Sequence, residues 1–147
     1  MSEPTLRERA LRLLARREHS RAELARKLRP YVAPEDDLEA LLGDLSKRRQ
    51  LSDERYAESR AHTLSRKFGS ARIAQELRAK GIDKGVADEA AAAARSTEVE
   101  RARQVWAKKF RTPATGRDER AKQMRFLQSR GFSFDAIRAV IRGAGED

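Results

Sequence analysis

A chain of 147 residues with 39% hydrophobic content is sized for one domain or a short array of small repeats, with apolar surface for a modest core. Its 33 Lys and Arg against 23 Asp and Glu give a formal net charge of +10, which makes a polyanion the expected partner. Without cysteine, and with only His19 and His62 as histidines, it offers no disulfide framework, no thiol chemistry and little material for a metal centre.

Helical periodicity runs from end to end and strand-like alternation is absent, so the class is all-α. Leu6, Ala10, Leu13 and Leu14 share the face of a first helix, which Thr5 and Glu8 open as a capping box. Ser20 and Glu23 open a second helix in the same way, and Pro30 closes it. Pro34, followed by Glu35, Asp36 and Asp37, is expected to open a third, whose Leu38, Leu41, Leu42 and Leu45 form one stripe.

Two stops then repeat fifty residues apart, Leu77 to Ile82 (LRAKGI) and Leu127 to Phe132 (LQSRGF). Gly81 and Gly131 are expected to take the left-handed conformation past a helix end, with Ile82 and Phe132 folding back as the apolar clasp. Asp83 and Ser133 cap the helices that follow. There Ala87, Ala90 and Ala91 correspond to Ile137, Val140 and Ile141, and to Leu38, Leu41 and Leu42 in the first unit. Thr97 and Glu100 suggest another capping box, before a stripe of Val99, Ala102, Trp106 and Phe110; Arg111 to Gly116 forms the one long polar connection. The chain therefore reads as three tandem three-helix repeats, at 4–51, 52–96 and 97–145. They are expected to stack as an elongated, curved α-solenoid, with the alanines of the middle unit giving closer helix approach or a shallower core.

No constellation for chemistry emerges. Gly143-Ala-Gly145 precedes no helix, Asp36-Asp37 reads as a helix-dipole pair, and His19 and His62 lie 43 residues apart. The chain is not expected to be an enzyme or to need a cofactor or metal. No stretch longer than five residues lacks a charge, so neither a membrane helix nor a secretory segment is expected, and the protein reads as cytoplasmic. Basic residues at helix ends, among them Arg16, Arg17, Lys47 to Arg49, Arg66, Lys67, Arg72, Lys80, Lys108, Lys109, Lys122, Arg125 and Arg130, stabilise helix dipoles. Where they recur before equivalent glycines, as Lys80 and Arg130 do, they also imply a basic ridge suited to phosphates. Tyr56, Trp106, Phe110, Phe126 and Phe134 read mostly as core, although stacking platforms have the same composition.

Ordered along the chain, several motifs resemble one family. They are Ala15 to Leu24 (ARREHSRAEL), Asp53 to Ala57 (DERYA) followed by Arg66, Gly69, Arg72-Ile73, Glu76-Leu77 and Lys80-Gly-Ile82, and Lys122 to Leu127 (KQMRFL) with Arg130-Gly-Phe132. Together they resemble the bacterial RecX regulatory proteins over nearly the whole chain. The resemblance implies a non-enzymatic, monomeric inhibitor of the RecA recombinase. Such a protein lodges in the groove of the RecA–DNA filament, suppresses ATP hydrolysis, strand exchange and coprotease activity, and touches single- or double-stranded DNA more weakly. It places Arg16, Arg17, Tyr56, Arg66, Arg72, Lys80, Lys122, Arg125 and Arg130 on the binding surface and Gly69, Gly81 and Gly131 at turns. Tyr56 stands where that family usually has Phe. The competing reading is a DNA-binding helical protein, a transcriptional or architectural factor, which the helix pair from Ser20 onward allows.

Overall fold

The computed structural model describes residues 2–145, and among them every regular element is helical. Nine α-helices follow in order: α1 (Leu6–Arg16), α2 (Arg21–Leu28), α3 (Leu38–Lys47), α4 (Asp53–Leu64), α5 (Ser70–Ala79), α6 (Lys84–Ala92), α7 (Glu98–Phe110), α8 (Arg117–Ser129) and α9 (Phe134–Gly145). Short 3₁₀ turns at Arg29–Tyr31 and Arg95–Thr97 extend the second helix and lead into the seventh.

Each set of three helices closes on its own core. Leu24, Leu28, Leu42 and Leu45 centre the first, Ile73, Leu77 and Ala87 the second, and Leu127, Ile137 and Val140 the third. Each fully buried Leu or Ile contributes about 1.5–3 kcal/mol relative to an exposed one, and no single core is large. Packing in series leaves the molecule open: it exposes 9907 Å², against about 7,600 Å² for a compact monomer of 16.7 kDa.

Most helix boundaries follow from the residues that were expected to set them. Thr5 Oγ1 accepts from the Glu8 amide at 3.1 Å, Ser20 Oγ from Glu23 at 3.0 Å, and Ser133 Oγ from Ala136 at 3.1 Å. Gly81 and Gly131 have φ of 87° and 85°. The clasp bonds run from the Ile82 amide to Leu77 O (3.1 Å) and from the Phe132 amide to Leu127 O (3.3 Å).

Three features differ from the sequence reading. The third helix starts not at Pro34 but after Asp37, whose Oδ1 caps the Ala40 amide at 3.0 Å; Asp36 instead closes a turn on the Ala33 amide at 2.9 Å. Thr97 does not cap α7, because the 3₁₀ turn feeds straight into the helix and the Thr97 hydroxyl takes a hydrogen bond from Arg101 Nε at 3.0 Å. That continuous entry turns Glu98 inward, so the buried stripe of α7 is Glu98, Ala102, Val105 and Trp106, and Val99 lies outside. Phe134 is also outside, 61% exposed under the Arg138 guanidinium.

Candidate functional site

The residues singled out in the sequence separate into two places. Gly69, Arg72, Arg130 and Gly131 meet where the second repeat joins the third. The left-handed stop at Gly131 brings its carbonyl and Phe132 against the turn before α5, and the Gly69 amide donates to Arg130 O at 2.8 Å. Gly69 itself has an ordinary φ of −79°; what demands glycine is space, because a methyl there would lie 2.5 Å from Phe132 Cα. A methyl on Gly131 would lie 2.5 Å from the Arg72 amide nitrogen. The two repeats touch main chain to main chain.

Glu98 fixes that contact. Its Oε1 accepts from the Ser70 amide at 2.7 Å and its Oε2 from Ser133 at 3.1 Å, so one carboxylate serves the first-turn donors of α5 and the cap of α9. Burial alone would raise its pKa, but these backbone hydrogen bonds outweigh burial and hold it below the usual carboxylate value. Arg101 supports the other side, donating to Ser65 O (2.8 Å), Phe68 O (2.6 Å) and Ala94 O (2.7 Å). Neither Glu98 nor Arg101 stood out in the sequence; the inward face of α7, once 3₁₀ entry is recognised, is the signal that identifies Glu98.

Over this joint runs a row of alternating cations and rings. Lys109 Nζ lies 5.5 Å from the Phe126 ring, Arg130 Cζ lies 4.9 Å from Phe126 and 5.7 Å from Phe68, and Arg72 Cζ lies 4.9 Å from Phe68. Arg72 also donates to Glu76 Oε1 (3.0 Å) and Ser129 O (3.1 Å), and Arg130 to Lys67 O (3.3 Å). Both guanidinium groups are thus occupied by the joint. Arg66, Lys67, Lys122 and Arg125 flank the row, exposed and without an ion-pair partner among the described residues. Lys122 and Phe126 of α8 and its C-cap Arg130 follow one another on one face at i, i+4, i+8 spacing.

Arg17, Tyr56, Lys80 and Gly81 line an open groove of about 740 Å³ between the first and second repeats. Arg17 grips Glu23 through both nitrogens at 3.0 and 2.7 Å, which holds the Glu23 carboxyl at about 2. Beneath them His19 is buried, hydrogen-bonded to Arg17 O and to Lys27 Nζ, each at 3.1 Å; burial depresses its pKa. It is a structural residue. Tyr56 is mostly buried in the middle core and offers only an edge to the groove, while Arg16 lies exposed at the end of α1, outside the lining. Arg26 and Arg60, absent from the sequence reading, line the same groove without ion-pair partners among the described residues. Glu18 reaches across the joint to Arg55 Nε at 2.8 Å, and Asp53 Oδ1 accepts from the Arg21 amide at 2.8 Å. No group of three or more potential metal ligands occurs among the described residues.

Comparison with known proteins agrees with this architecture. Family models for the first, second and third three-helix domains of RecX match residues 7–45, 52–90 and 96–141. The regulatory protein RecX of Leptothrix cholodnii is 48% identical over 97% of this chain and 91% of its own length, and that of Herminiimonas arsenicoxydans is 47% identical over 97% and 95%. The crystal structure of RecX from Lactobacillus salivarius superposes with a TM-score of 0.81 at 26% identity, covering 95% of this chain and 94% of that one. With three consecutive domain matches and relatives this similar along nine-tenths or more of their length, the chain belongs to the RecX family of regulatory proteins.

Proposed function

We propose that the chain is a non-enzymatic negative regulator of the RecA recombinase, lodging as a monomer along the RecA–DNA filament and lowering ATP hydrolysis, strand exchange and coprotease activity. Family membership supports a regulatory role, and the observation that carries the binding mode is the cation–ring row over the second joint with its unpaired flank. Cations fixed on a rigid joint need little reordering on contact, and weak contacts spread along a curved array reinforce one another. Arg66, Lys67, Lys122 and Arg125 face DNA phosphate or acidic protein surface, and the groove with Arg17, Tyr56 and Lys80, with Arg16 beyond its edge, forms a second contact. Four phosphate contacts alone give a logarithmic salt slope of about −3 on single-stranded and about −4 on duplex DNA, well short of the roughly 6–10 contacts behind steep salt dependence.

The test is RecA ATPase on single-stranded DNA with substoichiometric amounts of the chain, beside the double variant Lys122→Glu/Arg125→Glu. Turnover is expected to decline before one-to-one addition, with several-fold more of the variant needed for the same effect. Full inhibition by the variant removes these residues from the interface. Tight binding to bare duplex at physiological salt, without preference for the filament, favours instead a DNA-binding helical protein. Arg72 and Arg130 are poor targets for such a test because their loss also loosens the joint.

A further inference from the structure

The middle repeat has a cleft between α4 and α6 that meets the second joint only at its far end, where Arg101 bonds the carbonyls of Ser65 and Ala94. Glu54, Glu58 and Ala61 of α4 and its C-cap Ser65 follow one another at i, i+4, i+7 and i+11, forming one wall. Val86, Glu89, Ala90 and Ala94 form the other at i, i+3, i+4 and i+8, and between them lies an open groove of about 530 Å³. Helical spacing on both walls makes the seat as long as α4, 12 residues or roughly 18 Å, which is the shape left by a missing third helix rather than by a compact ligand.

The reason for the opening is legible. At corresponding positions the first repeat has Leu41 and Leu45 and the third has Val140 and Ala144, all packed on their cores; Ala90 stops short of both counterparts and Ala94 of Leu45. A second, independent observation concerns charge. The groove is lined by no Lys or Arg, in a chain whose net charge is +10. Glu58 and Glu89 lie within their helices with neither a cation nor a backbone donor among the described residues, and Glu54 takes only a 3.3 Å hydrogen bond from the Ser52 hydroxyl. Glu18, Glu23, Asp44 and Asp88 are held by Arg or Lys, whereas Glu58 and Glu89 stand unpaired among the described residues, as Glu8, Glu35 and Asp118 do, but here two such acids flank one apolar groove. An apolar floor of small residues with uncompensated acids at its rim repels phosphate and complements a cation.

We propose that this groove docks a cationic amphipathic helix of a partner protein, its aliphatic side chains on Ala61, Val86 and Ala90 and its Lys or Arg against Glu58 and Glu89. Small residues allow the close helix approach that such seating needs. The inference does not depend on the recombinase reading, since it uses a different face and a partner of opposite charge.

The test uses the full chain, labelled with nitrogen-15, and a Leu/Lys amphipathic helical peptide of about 18 residues, long enough to hold helix. The same peptide with Glu in place of Lys is the control. The Leu/Lys peptide is expected to shift the amides of Ala61, Val86 and Ala90, with affinity falling at least tenfold at high salt, while the Leu/Glu peptide leaves them unmoved. Ala90→Leu, which restores the size of Leu41, is expected to weaken binding at least tenfold with unchanged far-ultraviolet dichroism, and Glu58→Lys/Glu89→Lys, on exposed positions, to do the same. Undiminished binding by either variant, or shifts confined to another face, overturns the proposal. So do the same shifts produced by concentrating the chain alone, which make a second copy the occupant, or by spermidine at equal strength, which make it a small polyamine.

Discussion

Glu98 shows how much one side chain can organise. Its two oxygens serve amides from two different repeats in a site where water does not compete. Glu98→Gln keeps the shape but turns one acceptor into a donor facing an N–H, so a loss of about 1–3 kcal/mol is expected in urea unfolding. Glu98 and Glu23 also set the acid limb of stability. A carboxyl whose folded pKa lies below its unfolded value near 4.5 binds protons less readily in the native state. The stabilisation is therefore complete above that value and fades as pH falls, towards about 2 in the case of Glu23. Urea midpoints are expected to drop between pH 5 and pH 3 by the linkage relation, and Glu23→Gln to flatten part of that slope. Gly69→Ala is a steric test of the same joint: its methyl meets backbone that has no rotamer to yield, so it is expected to cost more than Gly116→Ala, where the left-handed φ of 96° is strained but nothing lies within 4 Å. Thermal midpoints of the two variants check that order.

At the scale of elements, cations of similar composition have different duties. Lys122→Glu/Arg125→Glu alters exposed, unpaired positions and is expected to leave the unfolding free energy within about 0.5 kcal/mol, whereas Arg130→Ala removes two ring contacts and a carbonyl partner and is expected to lower it measurably. This difference was not legible in the sequence, which marks Arg130 by the glycine after it but assigns it to the same binding surface as Arg125. What was legible is local. Gly81 and Gly131 announce their helix stops because the left-handed turn and its apolar clasp are fixed by six consecutive residues, and Thr5, Ser20 and Asp83 announce starts for a similar reason. The alanine stripe of α6 was visible too, but not whether the helices would close up or leave a trough. The joints were hidden because they pair residues far apart: Gly69 with Arg130, Ser70 with Glu98, Arg101 with Ser65. Thr97 misled because its pattern fits a cap while a 3₁₀ turn occupies the entry.

For the whole molecule, the two joints differ in kind. The second is stitched by main-chain contact, a buried carboxylate and a largely buried Arg101, while the first relies on the Glu18–Arg55 pair, the Asp53 cap on Arg21 and a Gly81–Ala22 approach beside an open groove. Tandem units joined unequally need not unfold together. Trp106, the single tryptophan, is buried in the third repeat with its Nε1–H on Gln123 Oε1 at 2.8 Å, so its fluorescence reports that repeat alone. Helical dichroism, which averages all repeats, is expected to begin its loss at lower urea than the tryptophan signal; superimposable curves show that the first joint couples as tightly as the second. The abutting glycines have a longer-range consequence. Since peptide atoms meet directly at Gly69 and Gly131, and the side chains that brace them are few, exposed positions away from Glu98, Arg101, Arg72 and Arg130 can change charge without moving the last two modules relative to each other.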